Sequence, residues 1–148
     1  MQAELIAGAL GAEIKGISLK DSSPENWKQI NELMLEHKVL FFRDQNISPI
    51  EQINLAKRFG PLEKHVYVKG LDEYPEILRI KKGASEKHQW GETWHTDVSY
   101  NTNPTKVIIL RSRKIPPVGG DTMFSNMQLA YETFCLLYTS DAADETGR

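Results

Sequence analysis

One cysteine, Cys135, occurs in 148 residues. A single thiol can neither close an intramolecular disulfide nor build a thiolate metal cluster, and it suits a reducing cytoplasm, the location expected here. No apolar run approaches the ~20 residues of a membrane span. The opening Met1-Gln2-Ala3-Glu4 lacks a basic stretch followed by an apolar one, so neither a membrane partner nor a secretion signal is expected. Neither sign of charge dominates: 18 Lys and Arg against 20 Asp and Glu leave a net charge of −2. The basic residues are scattered, so no nucleic-acid partner is expected. Internal repeats and low-complexity stretches are missing too. Histidines are few, and none follows His95.

What is present reads as ordinary globular protein: 40% apolar and 26% charged residues, enough to enclose a core. Residues 12–19 (AEIKGISL) alternate apolar and polar and predict a short strand. Ser22-Ser23-Pro24-Glu25 opens a helix, with a serine three residues before Glu25 and a proline in the first turn. Trp27, Ile30, Leu33 and Met34 give that helix one apolar stripe, ending near His37. Val39-Leu40-Phe41-Phe42 is short and wholly apolar, as a buried strand would be. Ser48-Pro49-Ile50-Glu51 starts a second helix, with Ile53, Ala56 and Phe59 facing inward and Gly60 as its stop. Further strands are expected at 76–81, at 94–100, at 105–114 with Val107, Ile108, Ile109 and Leu110 buried, and from 121 to 124. Residues 82–91 form a polar loop, 116–120 a turn, and 127–134 a helix start. Helices in the first half and strands in the second predict an α+β, mainly β fold: a helix-decorated antiparallel sheet.

The chemistry-bearing segment is Trp94-His95-Thr96-Asp97. In a strand, alternate residues share a face, so His95 and Asp97 project together. One imidazole and one carboxylate supply two donors of a 2-His-1-carboxylate facial triad. A His-x-Asp triplet alone occurs more often as a surface pair. Its surroundings raise its weight. Trp94-His95-Thr96-Asp97-Val98-Ser99-Tyr100 resembles the metal-binding segment of the TauD/TfdA (taurine dioxygenase-like) family. Pro116-Pro117-Val118-Gly119-Gly120-Asp121-Thr122 is similar to that family's second signature. Leu10-Gly11-Ala12-Glu13-Ile14 resembles its opening strand, and Arg58-Phe59-Gly60-Pro61-Leu62 its helix end. Four motifs in the family's order cover nearly everything before Cys135.

The resemblance implies a non-haem Fe(II)- and 2-oxoglutarate-dependent dioxygenase. Such an enzyme consumes O2 and hydroxylates a small organic acid (taurine, another alkylsulfonate or a related acid), releasing succinate and CO2. It implies that His95 and Asp97 are iron ligands and that the Thr122 hydroxyl contacts 2-oxoglutarate. It places His65 and Tyr67 on the substrate side. The implied fold is a double-stranded β-helix, a cupin-like jelly roll with N-terminal helices, and a homo-oligomer is open to the full-length protein. The third ligand and the arginine that anchors 2-oxoglutarate would both lie further downstream. Residues 1–134 therefore read as the N-terminal part of one such domain, an incomplete jelly roll. Such a fragment is expected to fold poorly, bind iron weakly and not turn over. From Cys135, Cys-Leu-Leu-Tyr-Thr-Ser-Asp-Ala-Ala-Asp-Glu resembles a translated sequencing adapter, so 135–148 is expected to be a non-native tail. Two other classes fit the same residues: a Zn-dependent hydrolase using His95 and Asp97, and a non-catalytic jelly-roll binding module.

Overall fold

A computed structural model describes residues 1–20, 23–81, 83, 91 and 93–134. The chain divides into two compact units, Met1–Gln45 with Pro116–Arg148, and Asn46–Ile115.

The first unit is built on a three-stranded sheet. Strand β1 (Gln2–Leu5) pairs antiparallel with β2 (Ala12–Lys15), in the register Gln2↔Lys15 to Leu5↔Ala12. The chain then crosses through helix α1 (Pro24–His37) to β3 (Leu40–Phe41), which runs parallel to β2 with Ala12 opposite Leu40. A parallel neighbour requires such a crossover, and α1 provides it. Residues 12–19 do alternate, but the strand ends at Lys15 because Gly16 takes φ +75° and turns the chain out of the ladder.

Helix α1 begins where its residues direct. Ser23, in extended conformation, accepts from the Asn26 N–H at 3.2 Å, and Pro24 follows it. The capping serine is thus Ser23, while Ser22 lies outside the described residues. Ile30 is only 2% exposed, with Trp27, Leu33 and Met34 half-buried on the same stripe. Burying Ile30 contributes roughly 1.5–3 kcal/mol. The helix exit is tied to β2 through Gly11 N–H donating to His37 O at 2.9 Å and Ala12 N–H to Val39 O at 3.0 Å. Ala12 and Ile14 complete this core. Helix α3 (Met127–Thr133) belongs to the same unit. Its capping Asn126 accepts from Leu129 N–H at 3.0 Å and donates to Ala9 O at 2.7 Å. Phe124 meets the Phe41 ring edge-on, centroids 6.4 Å apart.

The second unit carries helix α2 (Pro49–Ala56), opened by a reciprocal capping box. Ser48 Oγ accepts from the Glu51 N–H at 3.3 Å, and the Glu51 carboxylate accepts from the Ser48 N–H at 2.6 Å. Ile53 is buried as expected. Leu55 is buried as well, whereas Ala56 and Phe59 stay half-buried. The helix ends at Ala56, and residues 57–59 turn before Gly60.

The expected strands at 76–81, 94–100, 105–114 and 121–124 do not form among the described residues. A strand exists only where a neighbour accepts its ladder bonds, and no such pairing is present there. The sequence pattern nonetheless leaves a trace. From Thr105 to Arg111 half-buried residues alternate with exposed ones, Val107 and Ile109 inward, Ile108 and Leu110 outward. Gln52 donates to Ile109 O at 3.3 Å, and Thr105 to Glu63 at 2.9 Å, holding this segment by side chains. Among the described residues no helix is long and apolar enough to cross a membrane.

Candidate metal centre

His95 and Asp97 are brought together, although by a turn rather than by a strand. Residues 97–100 turn, and the Asn101 N–H donates to Val98 O at 3.1 Å. His95 Nε2 and Asp97 Oδ1 stand 3.1 Å apart, with both side chains 49% exposed. On the far edge of the ring, His95 Nδ1 donates to Thr93 O at 2.7 Å, since a carbonyl can only accept. That bond fixes the tautomer. In the neutral imidazole Nε2 is then an acceptor, facing a carboxylate that is also an acceptor. Two acceptors at this separation need a cation between them. A metal ion held by both atoms would satisfy both.

A separation of 3.1 Å is that of an ordinary imidazole–carboxylate ion pair, and two donors this close are also within reach of one shared ion. Among the described residues no group of three His, Cys, Asp or Glu could hold a metal, so a third donor is not brought to this pair.

Two backbone positions bracket the pair. Gly91 lies at φ +75°, and a Cβ there would stand 3.3 Å from His95 Cε1 and 4.0 Å from Nε2. Val98 lies at φ +52°, a left-handed conformation that a β-branched residue adopts at a cost of ~1–3 kcal/mol. Sequence reasoning passed over Thr93, Asn101 and the conformation of Val98. A glycine four residues before the histidine was a usable signal, but a valine carries none for a left-handed turn.

The other expected site residues are placed as follows. His65 belongs to the same unit, where its Nδ1 accepts from the backbone N–H groups of Tyr67 and Val68 at 3.1 and 3.2 Å. Its ring meets that of Tyr67 edge-on at 6.3 Å, and Tyr67 is 80% exposed. Thr122 belongs to the first unit, exposed and outside regular secondary structure.

The structure thus places a half-exposed imidazole and a carboxylate side by side on one turn. The family model "Taurine catabolism dioxygenase TauD, TfdA family" matches residues 2–134, and the chain belongs to that family. Its relatives include an alkylsulfatase of Acinetobacter baylyi, 39% identical over 89% of this chain and 41% of that protein. An alpha-ketoglutarate-dependent sulfate ester dioxygenase of Pseudomonas putida is 33% identical over 86% of this chain and 42% of its own length. A solved structure of AAD-2 in complex with Mn(II) and N-oxalylglycine is similar at 24% identity and a TM-score of 0.42, over 45% of this chain and 27% of that one. The chain thus spans about two fifths of the length of these curated relatives.

Proposed function

We propose that this chain is the N-terminal part of a jelly-roll dioxygenase that uses Fe(II), 2-oxoglutarate and O2 to hydroxylate a small organic anion. The observation that carries the reading is the convergence of His95 Nε2 and Asp97 Oδ1 to 3.1 Å within a chain of this family. The family favours this reading over a zinc hydrolase and over a binding module. The relatives named for alkyl sulfate and sulfate ester chemistry favour a sulfate ester or alkylsulfonate over taurine as substrate.

His95 and Asp97 would hold the iron on one side, leaving the other side for small molecules. When bound, iron with 2-oxoglutarate supplies activation of O2 and oxidation of a substrate C–H bond, with succinate and CO2 as by-products. The protein's part is placement. The Thr93 carbonyl keeps the His95 proton on Nδ1, so that Nε2 stays free to ligate. The Thr122 hydroxyl would donate to the 2-oxoglutarate carboxylate. His65, its Nδ1 engaged by two backbone N–H groups, carries its proton on Nε2 and would donate it to an anionic head group beside Tyr67. Hydroxylation at the carbon bearing a sulfate ester gives a product that collapses to an aldehyde and free sulfate. Residues 1–134 alone would bind metal weakly and not turn over.

The test supplies the complete protein with Fe(II), 2-oxoglutarate and, in turn, a medium-chain alkyl sulfate, an alkylsulfonate and taurine. Succinate formed in step with aldehyde and sulfate is expected from the alkyl sulfate. Sulfate release without 2-oxoglutarate would instead reveal a hydrolase. Absence of 2-oxoglutarate consumption with every substrate would overturn the reading.

A further inference from the structure

We propose that Val98 is a positioning residue for the metal site, its left-handed turn holding Asp97 beside His95. The inference rests on reading these two residues as metal ligands. In a continuous strand, alternate residues line one face. His95, Asp97 and Ser99 would then stand in file, with the spacing of the first two set by the strand. Val98 at φ +52° breaks that file. The turn is closed by the Asn101 N–H donating to Val98 O at 3.1 Å. Both ligands keep half their surface exposed.

Valine is the wrong residue for this conformation by intrinsic preference. Its β-branched side chain favours extended backbone, and the left-handed region is the habit of Gly, Asn and Asp. A residue held against its preference beside a ligand points from the outlier to a role. The ring of His95 is fixed on the other flank, where Thr93 O accepts from Nδ1 and Gly91 leaves space for Cε1. The ligand pair is therefore framed by local backbone on both sides.

The experiment measures Mn(II) affinity of the complete protein by the loss of the free-ion electron paramagnetic signal. The variants are Val98→Asn, Val98→Pro and a His95→Ala control. Asparagine accepts the left-handed conformation, so V98N is expected to hold Mn(II) at least as tightly as wild type. Proline fixes φ near −65° and forbids the turn. V98P is expected to lose about 10- to 100-fold in affinity, as groups that orient a ligand do, with its far-ultraviolet helix signal unchanged. Wild-type affinity in a folded V98P, or weaker binding in V98N, overturns the inference. Should V98P fail to fold, Asn101→Pro, which lacks the N–H that closes the same turn, takes its place and is read the same way. Equal Mn(II) binding in wild type and H95A overturns the metal-ligand reading itself and this inference with it.

Discussion

His95 Nδ1 donates to the carbonyl of Thr93 at 2.7 Å, two residues back along the chain, while Nε2 faces Asp97 Oδ1 at 3.1 Å. The imidazole is therefore committed on one edge and offered on the other. If the two side chains grip one ion, their contributions are coupled. His95→Ala and Asp97→Ala should each weaken Mn(II) binding more than about 100-fold, beyond the loss typical of an outer-shell partner. The double variant should be little worse than either single one. Additive small losses, measured by the same Mn(II) titration, would describe two independent surface residues instead.

The capping box at α2 gives a stability prediction in the second unit. Ser48 and Glu51 satisfy each other's backbone N–H groups at 3.3 and 2.6 Å. Ser48→Ala removes one acceptor at the start of an eight-residue helix, too short to persist unaided. A loss of about 1 kcal/mol is expected. Ser48→Asp should recover most of it, since a carboxylate caps as well and suits the helix N-terminus. Urea midpoints of the three proteins at equal slope provide the check.

Helix starts were legible because their signals are local: Ser23-Pro24 and Ser48-Pro49-Ile50-Glu51 each specify a cap within four residues, while the Asn126 cap of α3 was not read from the sequence. Strands are not local. Residues 105–111 carry the apolar run of a buried strand, but Ile108 and Leu110 are exposed and no neighbour pairs with the segment among the described residues. Periodicity states which face would be buried; it does not supply the partner. The same gap explains the site. His95 and Asp97 were legible as a convergent pair from their spacing, and they converge. The strand invoked to align them is replaced by a turn through Val98, whose side chain gives no hint of left-handed backbone. Thr122 was legible only by resemblance, since a threonine after a Gly-Gly turn has many ordinary uses.

Among the described residues of the first unit Ile30 is the largest fully buried side chain, on the inward stripe of α1. Truncation there removes buried methylenes that nothing can replace without shifting helix or sheet. Ile30→Ala should cost about 2–5 kcal/mol and Ile30→Val about 0.5–1.5 kcal/mol. Leu35→Ala, on the same helix but 72% exposed, should stay within about 0.5 kcal/mol of wild type. Denaturant unfolding followed by circular dichroism separates the three; equal losses at 30 and 35 would mean that the helix packs on another face.

The hairpin of β1 and β2 gives a pH dependence with a definite sign. Lys15 Nζ lies 2.6 Å from Glu4 Oε2. That hydrogen bond holds the ammonium pKa above the ordinary lysine value of 10.5, with added attraction from the Glu4 and Glu13 charges and partial opposition from desolvation. A folded-state pKa raised above the unfolded one adds stability that is fully present below the unfolded value. It disappears as pH climbs through the folded value. The pair should therefore contribute unchanged through neutral pH and fade only in the alkaline range above 10.5. Both side chains are about half-exposed, so the effect is small and screened by salt. Lys15→Gln should remove this one contribution to the alkaline decline and leave the rest of the pH profile parallel to wild type. An alkaline limb equally steep in both proteins would place the titrating group elsewhere.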